Sequence, residues 1–226
     1  MSELASGQTP KKAIKKRRKR GQTRPAIINA AIELLMKEGP EALTTIRLAK
    51  EVDIVQSGFY AHFKTIEECL RALVDEIDTK VREPLAQQMA QLRMTDAGDV
   101  ELLEDFYEVL FDRVNENWKL MEVFLHFRGD HSLVGRLIAE FETSLIDDLT
   151  LHLREMRDVN TLVPVFEDAS DNVLNALSHI MISQSLVGIM QWKKGFMPRK
   201  MLARFLAEQT SKIGDSTKAA GMRLQK

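Results

Sequence analysis

Leu43-Thr44-Thr45-Ile46-Arg47-Leu48-Ala49-Lys50-Glu51-Val52-Asp53-Ile54-Val55-Gln56-Ser57-Gly58-Phe59-Tyr60-Ala61-His62-Phe63-Lys64 is the stretch on which the reading of this chain turns. Thr44 or Thr45 can cap a short helix through Leu48, Ala49 and Val52, because a threonine hydroxyl accepts from the unpaired N–H groups of a first helical turn. The pattern breaks at Asp53-Ile54, and a second short helix is expected from there to about Phe63. Two short helices joined by a tight turn make a helix-turn-helix. Its second helix fits the roughly 12 Å wide major groove of B-DNA while the first braces it. Leu48, Val52, Ile54 and Phe59 form the expected buried side, and the small Ala49 lets the helices cross closely. Gln56, Ser57, Tyr60 and Ala61 are left toward solvent or DNA.

Outward from this motif the chain reads as all-α, because apolar residues recur at spacings of three and four and nothing resembles a strand meander. A helix is expected from Pro25 through Ile28, Ala31, Ile32, Leu35 and Met36 to a stop at Gly39-Pro40. Thr65-Ile66-Glu67-Glu68 reads as a capping box opening a helix through Leu70, Leu73, Val74, Ile77 and Val81, which Pro84 should kink or restart. A loop from Thr95 to Asp99 precedes helices over about 99–116, 118–128, 133–156, 168–193 and 198–213, with Gly214 as the last stop. The layout is about nine helices. It divides into a basic arm (1–22), a three-helix helix-turn-helix domain (23–70), a larger helical domain for ligand binding and dimerisation (71–214) and a tail (215–226).

The 226 residues are 44% hydrophobic and 29% charged, which excludes a disordered or collagen-like chain. One cysteine, Cys69, excludes an intrachain disulfide framework, and its place on a helix favours packing over redox sensing. The formal charge of -1 conceals an asymmetry. Residues 1–24 carry nine Lys and Arg against Glu3 alone, a local +8 that leaves -9 on the remaining 202 residues. Eight of the ten residues from Lys11 to Arg20 are basic. So dense a cationic arm points to a polyanionic partner, whether nucleic acid or an anionic membrane, and beside the helix-turn-helix it makes Arg17, Arg18, Arg20 and Arg24 candidates for DNA binding. The helix-turn-helix is itself slightly acidic, with four basic and seven acidic residues from Pro25 to Leu70, so the arm is expected to supply much of the attraction to DNA. No apolar segment follows the basic residues, so a secretory signal is not expected and the cytoplasm is the default. Val173 to Trp192 approaches the length of a membrane span, but its interspersed polar residues read as a helix within a fold, and no membrane partner is expected.

The residues from about Arg24 to Leu73 resemble the tetracycline-repressor (TetR) family of bacterial transcription regulators. Ala30, Ala31, Leu34, Leu35 and Gly39 match the family's first helix, Thr44-Thr45 with Leu48-Ala49 its second, and Phe59-Tyr60-x-His62-Phe63-Lys64 the aromatic run that ends its recognition helix. The resemblance implies that Tyr60, His62 and Lys64 meet phosphates, that Thr44 and Thr45 contact the DNA backbone, and that Gln56, Ser57 and Gly58 face base edges. Arg47 joins them as a candidate contact. Those roles agree with the chemistry: a Gln amide can bridge adenine, hydroxyls donate to phosphate oxygens, and a lysine supplies a point charge. The chain departs from the family pattern at Asp53, where a turn glycine is usual, at Val55, where a polar residue usually opens the recognition helix, and at Ile66, where a lysine is frequent. Asp tolerates a left-handed turn, whereas the other two changes remove a cap and a phosphate contact.

For the larger domain the resemblance implies architecture: a homodimer formed by the last two long helices. Leu177, Met181, Met190, Leu202 and Phe205 are the candidate dimer residues. Aromatics on the middle helices could line a ligand cavity or simply fill a core. The candidate ligand residues are Phe106, Phe111, Trp118, Phe124 and Phe127, with Met181. The layout of Asn115 to Met156 also resembles family members that sense long-chain acyl thioesters. No histidine pair at ligand spacing, phosphate loop or Gly-x-Ser-x-Gly is present, so no enzyme, metal or cofactor is expected. The expected partners are double-stranded DNA at a palindromic operator, a second copy of the chain and an unknown small-molecule effector. One reading is a repressor released from its operator by that effector. The other is a ligand-independent architectural or cell-cycle DNA-binding protein of the same fold.

Overall fold

The computed structural model describes residues 21–92, 100–159 and 169–219. The arm through Arg20, with Arg17 and Arg18, and the expected loop from Thr95 to Asp99 lie outside the described residues. The described residues are all helix and turn: α1 (Thr23–Glu38), α2 (Thr45–Glu51), α3 (Gln56–Tyr60), α4 (Ile66–Ile77), α5 (Glu83–Leu92), α6 (Val100–Glu116), α7 (Trp118–Phe127), α8 (Leu133–Asp158), α9 (Asp171–Lys193) and α10 (Arg199–Ala219). A π-helical turn, Asp78–Arg82, runs from α4 into α5. Counting that rod once gives nine helices among the described residues.

Local chemistry explains most of the boundaries. Thr44 Oγ1 accepts from the Arg47 N–H at 3.1 Å, and Ser132 Oγ from the Gly135 N–H at 3.3 Å, each satisfying a donor of a first turn. Gly39 ends α1 with φ at 86°, a conformation that costs a residue with a Cβ and costs glycine almost nothing. The capping box at Thr65 forms with a shifted return arm. Thr65 Oγ1 accepts from the Glu68 N–H at 3.0 Å, but the Glu68 carboxylate accepts from the N–H of Lys64, at 2.6 Å, one residue earlier than the motif requires. Pro84 neither breaks the rod nor leaves it regular. Proline cannot donate to the residue four back, and the turn just before it widens so that the Glu83 N–H reaches Asp78 O, five residues back.

Two expected ends move. The third helix stops at Tyr60, and the chain then turns through Ala61 and His62 so that the Phe63 ring can enter the core. Gly214 does not stop α10, which continues to Ala219. Glycine weakens a helix interior but ends a helix only where the backbone leaves the helical region.

The three N-terminal helices close over Ile27, Ala31, Leu35, Leu48, Phe59 and Phe63, each almost wholly buried. The same core runs on through Leu73 and Ile77 of α4 into Phe111, Val114, Phe124, Val134 and Ile138 of the larger domain. Helix α4 packs against α1 on one side and α7 and α8 on the other, so the motif is held to the larger domain through it. Helix α9 is long and apolar enough to cross a membrane by length and composition, and in the fold it packs along α8 and α10.

Candidate functional site

The helix-turn-helix turns on Asp53, which takes a left-handed φ of 56°, the conformation that the missing glycine would have supplied. Thr45 and Gln56 are the first residues of α2 and α3, and the Gln56 amide donates to Thr45 Oγ1 at 2.9 Å. Gln56, Ser57, Tyr60 and Lys64 are exposed, His62 is half-buried, and the Tyr60 ring stands edge-on to the buried Phe59 with centroids 5.7 Å apart. Thr44 spends its acceptor on the helix cap.

Three candidates also make contacts within the chain. Gly58 turns inward: a Cβ there would lie 3.3 Å from Cβ of Ile54, so the position serves the packing of the turn and offers DNA only backbone. Arg47 is tied within the chain, donating to Glu38 at 2.7 Å and to Glu51 at 3.0 Å, so two carboxylates compete with any phosphate for its charge. Arg24 lies with its guanidinium 4.8 Å from the centroid of the Phe63 ring. Val55, where the sequence indicated only a lost cap, and Ile46 are 72% and 65% exposed beside Gln56 and Thr45. Solvent-facing apolar groups there suit contact with thymine methyls, and an apolar residue at a cap position that lacks a capping oxygen was the available signal.

Within the larger domain a cavity of about 350 Å³ lies between the α4–α5 rod, α6, α7, α8 and α9. Its walls are mostly apolar and include Ile77, Leu103, Leu110, Phe141 and Ile189. Of the candidate ligand residues, Phe106, Phe124 and Met181 lie on the wall. Phe111, Trp118 and Phe127 do not. Phe111 is wholly buried against Trp192, Trp118 lies under the Lys193 ammonium at 4.4 Å, and Phe127 packs beside His126. Helical periodicity identified these residues as apolar, but the rotation of each helix about its axis decided which face met the cavity.

The polar wall groups came from elsewhere in the sequence. Tyr107 is buried with its hydroxyl 2.8 Å from Thr210 Oγ1, and burial pushes its phenol pKa up. Gln184, which is not itself on the wall, donates to Thr210 Oγ1 at 3.0 Å and to Leu206 O at 3.2 Å. Arg82, Asp148 and His152 also face the cavity. The only sequence signal for Arg82 was a charge within an apolar helical pattern just ahead of Pro84.

The candidate dimer residues also separate. Leu177 and Leu202 are buried in the chain's own core and Met181 faces the cavity, because α9 packs on α8 through one side and on α10 through another. Met190 is half-buried. Phe205 is 47% exposed and belongs with Ile180, Val187, Phe196 and Met201 to an apolar surface on α9, α10 and the turn between them. Gly188 permits the close approach of these helices: a Cβ there would come within 2.7 Å of Leu206 Cδ1. The Cys69 thiol is buried, and desolvation pushes its pKa up to about 12. No group of three or more His, Cys, Asp or Glu suited to a metal occurs among the described residues.

Residues 27–73 match the family model described as bacterial regulatory proteins, tetR family. Over 56 residues the chain is 43% identical to the class C tetracycline repressor protein of Escherichia coli, a match covering 25% of this chain and 26% of that one. Over 122 residues it is 25% identical to the nucleoid occlusion factor SlmA of Mannheimia succiniciproducens, covering 54% of this chain and 52% of that one. The chain thus spans about half the length of one curated relative and about a quarter of the other. Among solved structures, a TetR-family transcriptional regulator from Syntrophomonas wolfei superimposes with a TM-score of 0.67 at 12% identity, over 87% of this chain and 97% of that one. The transcriptional regulator FadR from Bacillus subtilis, solved in complex with stearoyl-CoA, gives 0.59 at 16% identity, over 83% and 97%. At such identities these two structures establish the fold: an N-terminal helix-turn-helix on a larger helical domain.

Proposed function

We propose that this chain, whose residues 27–73 match the tetR family model, is a cytoplasmic, homodimeric repressor of that family that leaves its palindromic operator when an apolar ligand fills the cavity. The observation that carries this reading is the position of the cavity. Ile77, Val81 and Arg82 on its wall belong to the rod that starts at Thr65, immediately after the recognition segment. A ligand that moves this wall moves the helix that holds the motif to the larger domain, so ligand and operator oppose each other with equal and reciprocal coupling. A long-chain acyl thioester is one ligand of suitable chemistry, and the mostly apolar lining supports an acyl chain. DNA contacts fall to Thr45, Gln56, Ser57, Tyr60, His62 and Lys64, with the arm adding charge. The exposed surface of Ile180, Val187, Met201 and Phe205 pairs two copies, setting the recognition helices at two successive half-sites.

The test is to select an operator from random DNA with the full chain, then titrate it with and without stearoyl-CoA and shorter acyl thioesters. An operator affinity that no such ligand lowers removes the release mechanism. The similarity to SlmA over 122 residues supports the second reading, a ligand-independent DNA-binding protein acting at dispersed sites. Mapping bound sites across the genome separates the two: a few promoter palindromes favour the repressor, and many sites away from promoters favour the alternative.

A further inference from the structure

We propose that Arg82 recognises a negatively charged head on the cavity ligand, and that this head binds by taking the place of Asp148 on the guanidinium. The proposal rests on the cavity being a ligand site and adds the chemical class of the ligand: an amphiphile with an apolar tail and an anionic end. The cavity is otherwise lined by aliphatic and aromatic side chains and by hydroxyls, with Arg82 and Asp148 as its oppositely charged pair and His152 nearby. A guanidinium keeps its charge at every accessible pH and offers a planar fork that matches a carboxylate or phosphate.

Two carboxylates hold that fork, on unequal terms. Asp78 is one turn earlier on the same rod and takes both Nε and Nη2, the latter at 3.0 Å. Asp148 lies across the cavity wall on α8 and takes Nη1 alone, at 2.7 Å. The Asp148 side chain is 53% exposed, against 28% for Arg82 and 29% for Asp78. Asp148 can therefore turn into water and be fully solvated there, whereas Arg82 stays with Asp78 and presents a vacated donor to the cavity. The Asp148 carboxylate already occupies the position that the ligand's head would take, so this N–H donates to an oxyanion in this geometry.

The exchange also has a mechanical consequence. The Arg82–Asp148 bond links the π turn to α8, and its loss removes one of the ties between α8 and the rod continuous with α4, the Arg71–Glu140 pair being another. Turns of this kind are frequently found at functional sites, since their widened ladder tolerates rearrangement better than regular helix does.

The experiment is calorimetric titration of the full-length protein with three probes of equal chain length, decanoate, 1-decanol and decyltrimethylammonium, at a pH where the carboxylate is ionised. Decanoate should bind about tenfold or more tighter than decanol, as a hydrogen bond to a charged group warrants. Arg82→Gln should erase that preference while decanol binding persists, and Arg82→Lys should retain part of it. Asp148→Asn should strengthen decanoate several-fold and leave decanol unchanged. Tighter binding of decanol or decyltrimethylammonium, or a preference that survives Arg82→Gln, overturns the assignment while leaving the cavity a ligand site. If none of the three probes binds, the cavity reading itself fails and this proposal with it. Circular dichroism of each variant guards against misfolding, and Asp148→Asn, at an exposed position, remains informative if Arg82→Gln does not fold.

Discussion

The Gln56 side-chain amide donates to the Thr45 hydroxyl at 2.9 Å, tying the first residue of the candidate recognition helix to the first residue of the helix that braces it. A Gln amide has two N–H donors and one carbonyl acceptor. With one donor on Thr45, the other donor and the carbonyl remain in the fork that pairs with adenine N7 and N6, and the side chain is already oriented. Gln56→Ala should cost about 1–3 kcal/mol against the selected operator and relax preference at one base pair. Thr45→Val keeps the shape but removes the orienting acceptor, and should cost a smaller part of the same discrimination. Anisotropy titrations against the operator and its single-base variants check both. An unchanged base preference in Gln56→Ala would remove Gln56 as a base reader.

Arg47 is held by Glu38 and Glu51, and the motif is slightly acidic, so the arm is expected to supply much of the electrostatic attraction to DNA. Deleting residues 1–20 removes eight basic side chains. Each lost phosphate contact should lower the slope of log affinity against log salt by about 0.9. A fall of several units is expected, and an unchanged slope would leave the arm without a role in binding.

The exposed apolar surface on α9 and α10 makes a prediction that separates pairing from folding. Val187→Asp or Phe205→Glu should give a monomer by sedimentation velocity with little change in thermal midpoint, since both side chains are about half exposed in the single chain. Leu202→Asp should instead lower the midpoint sharply, because it places an unpaired charge at a buried position. A dimer that persists in both surface variants would move the interface elsewhere.

The cavity wall should respond to truncation in two distinct ways. Phe124→Ala removes a buried ring and should cost about 3–5 kcal/mol in denaturant unfolding. Tyr107→Phe removes only the hydroxyl bonded to Thr210 and should cost about 0.5–1.5 kcal/mol.

Cys69 should resist maleimide at pH 8 in the native protein and react fully once unfolded. Its thiol is buried and its pKa is pushed up to about 12, so native thiolate is scarce. Since burial raises the native pKa above that of the unfolded chain, this group's contribution to stability is present at neutral pH. It is lost as pH rises from about 9 toward 12. Comparing the alkaline unfolding of the native chain with that of Cys69→Ala isolates the effect.

The features legible in the chain follow from interactions between near neighbours. The caps at Thr44 and Thr65, the stop at Gly39 and the left-handed turn at Asp53 each depend on residues within about five positions, so spacing alone could place the helix-turn-helix. The all-helical class was legible for the same reason. Which side chains meet across distance is set by the packing of whole helices. Tyr107 finds Thr210 across 103 residues, and Arg82 finds Asp148 across 66. Periodicity marks a helix face as apolar without specifying what that face touches. Phe106 therefore lines the cavity while Phe111, one and a half turns on, packs in the core. Leu202 is buried while Phe205, three residues later, faces solvent. The rotation of each helix against partners far away in the chain sets those assignments, and no local pattern encodes it.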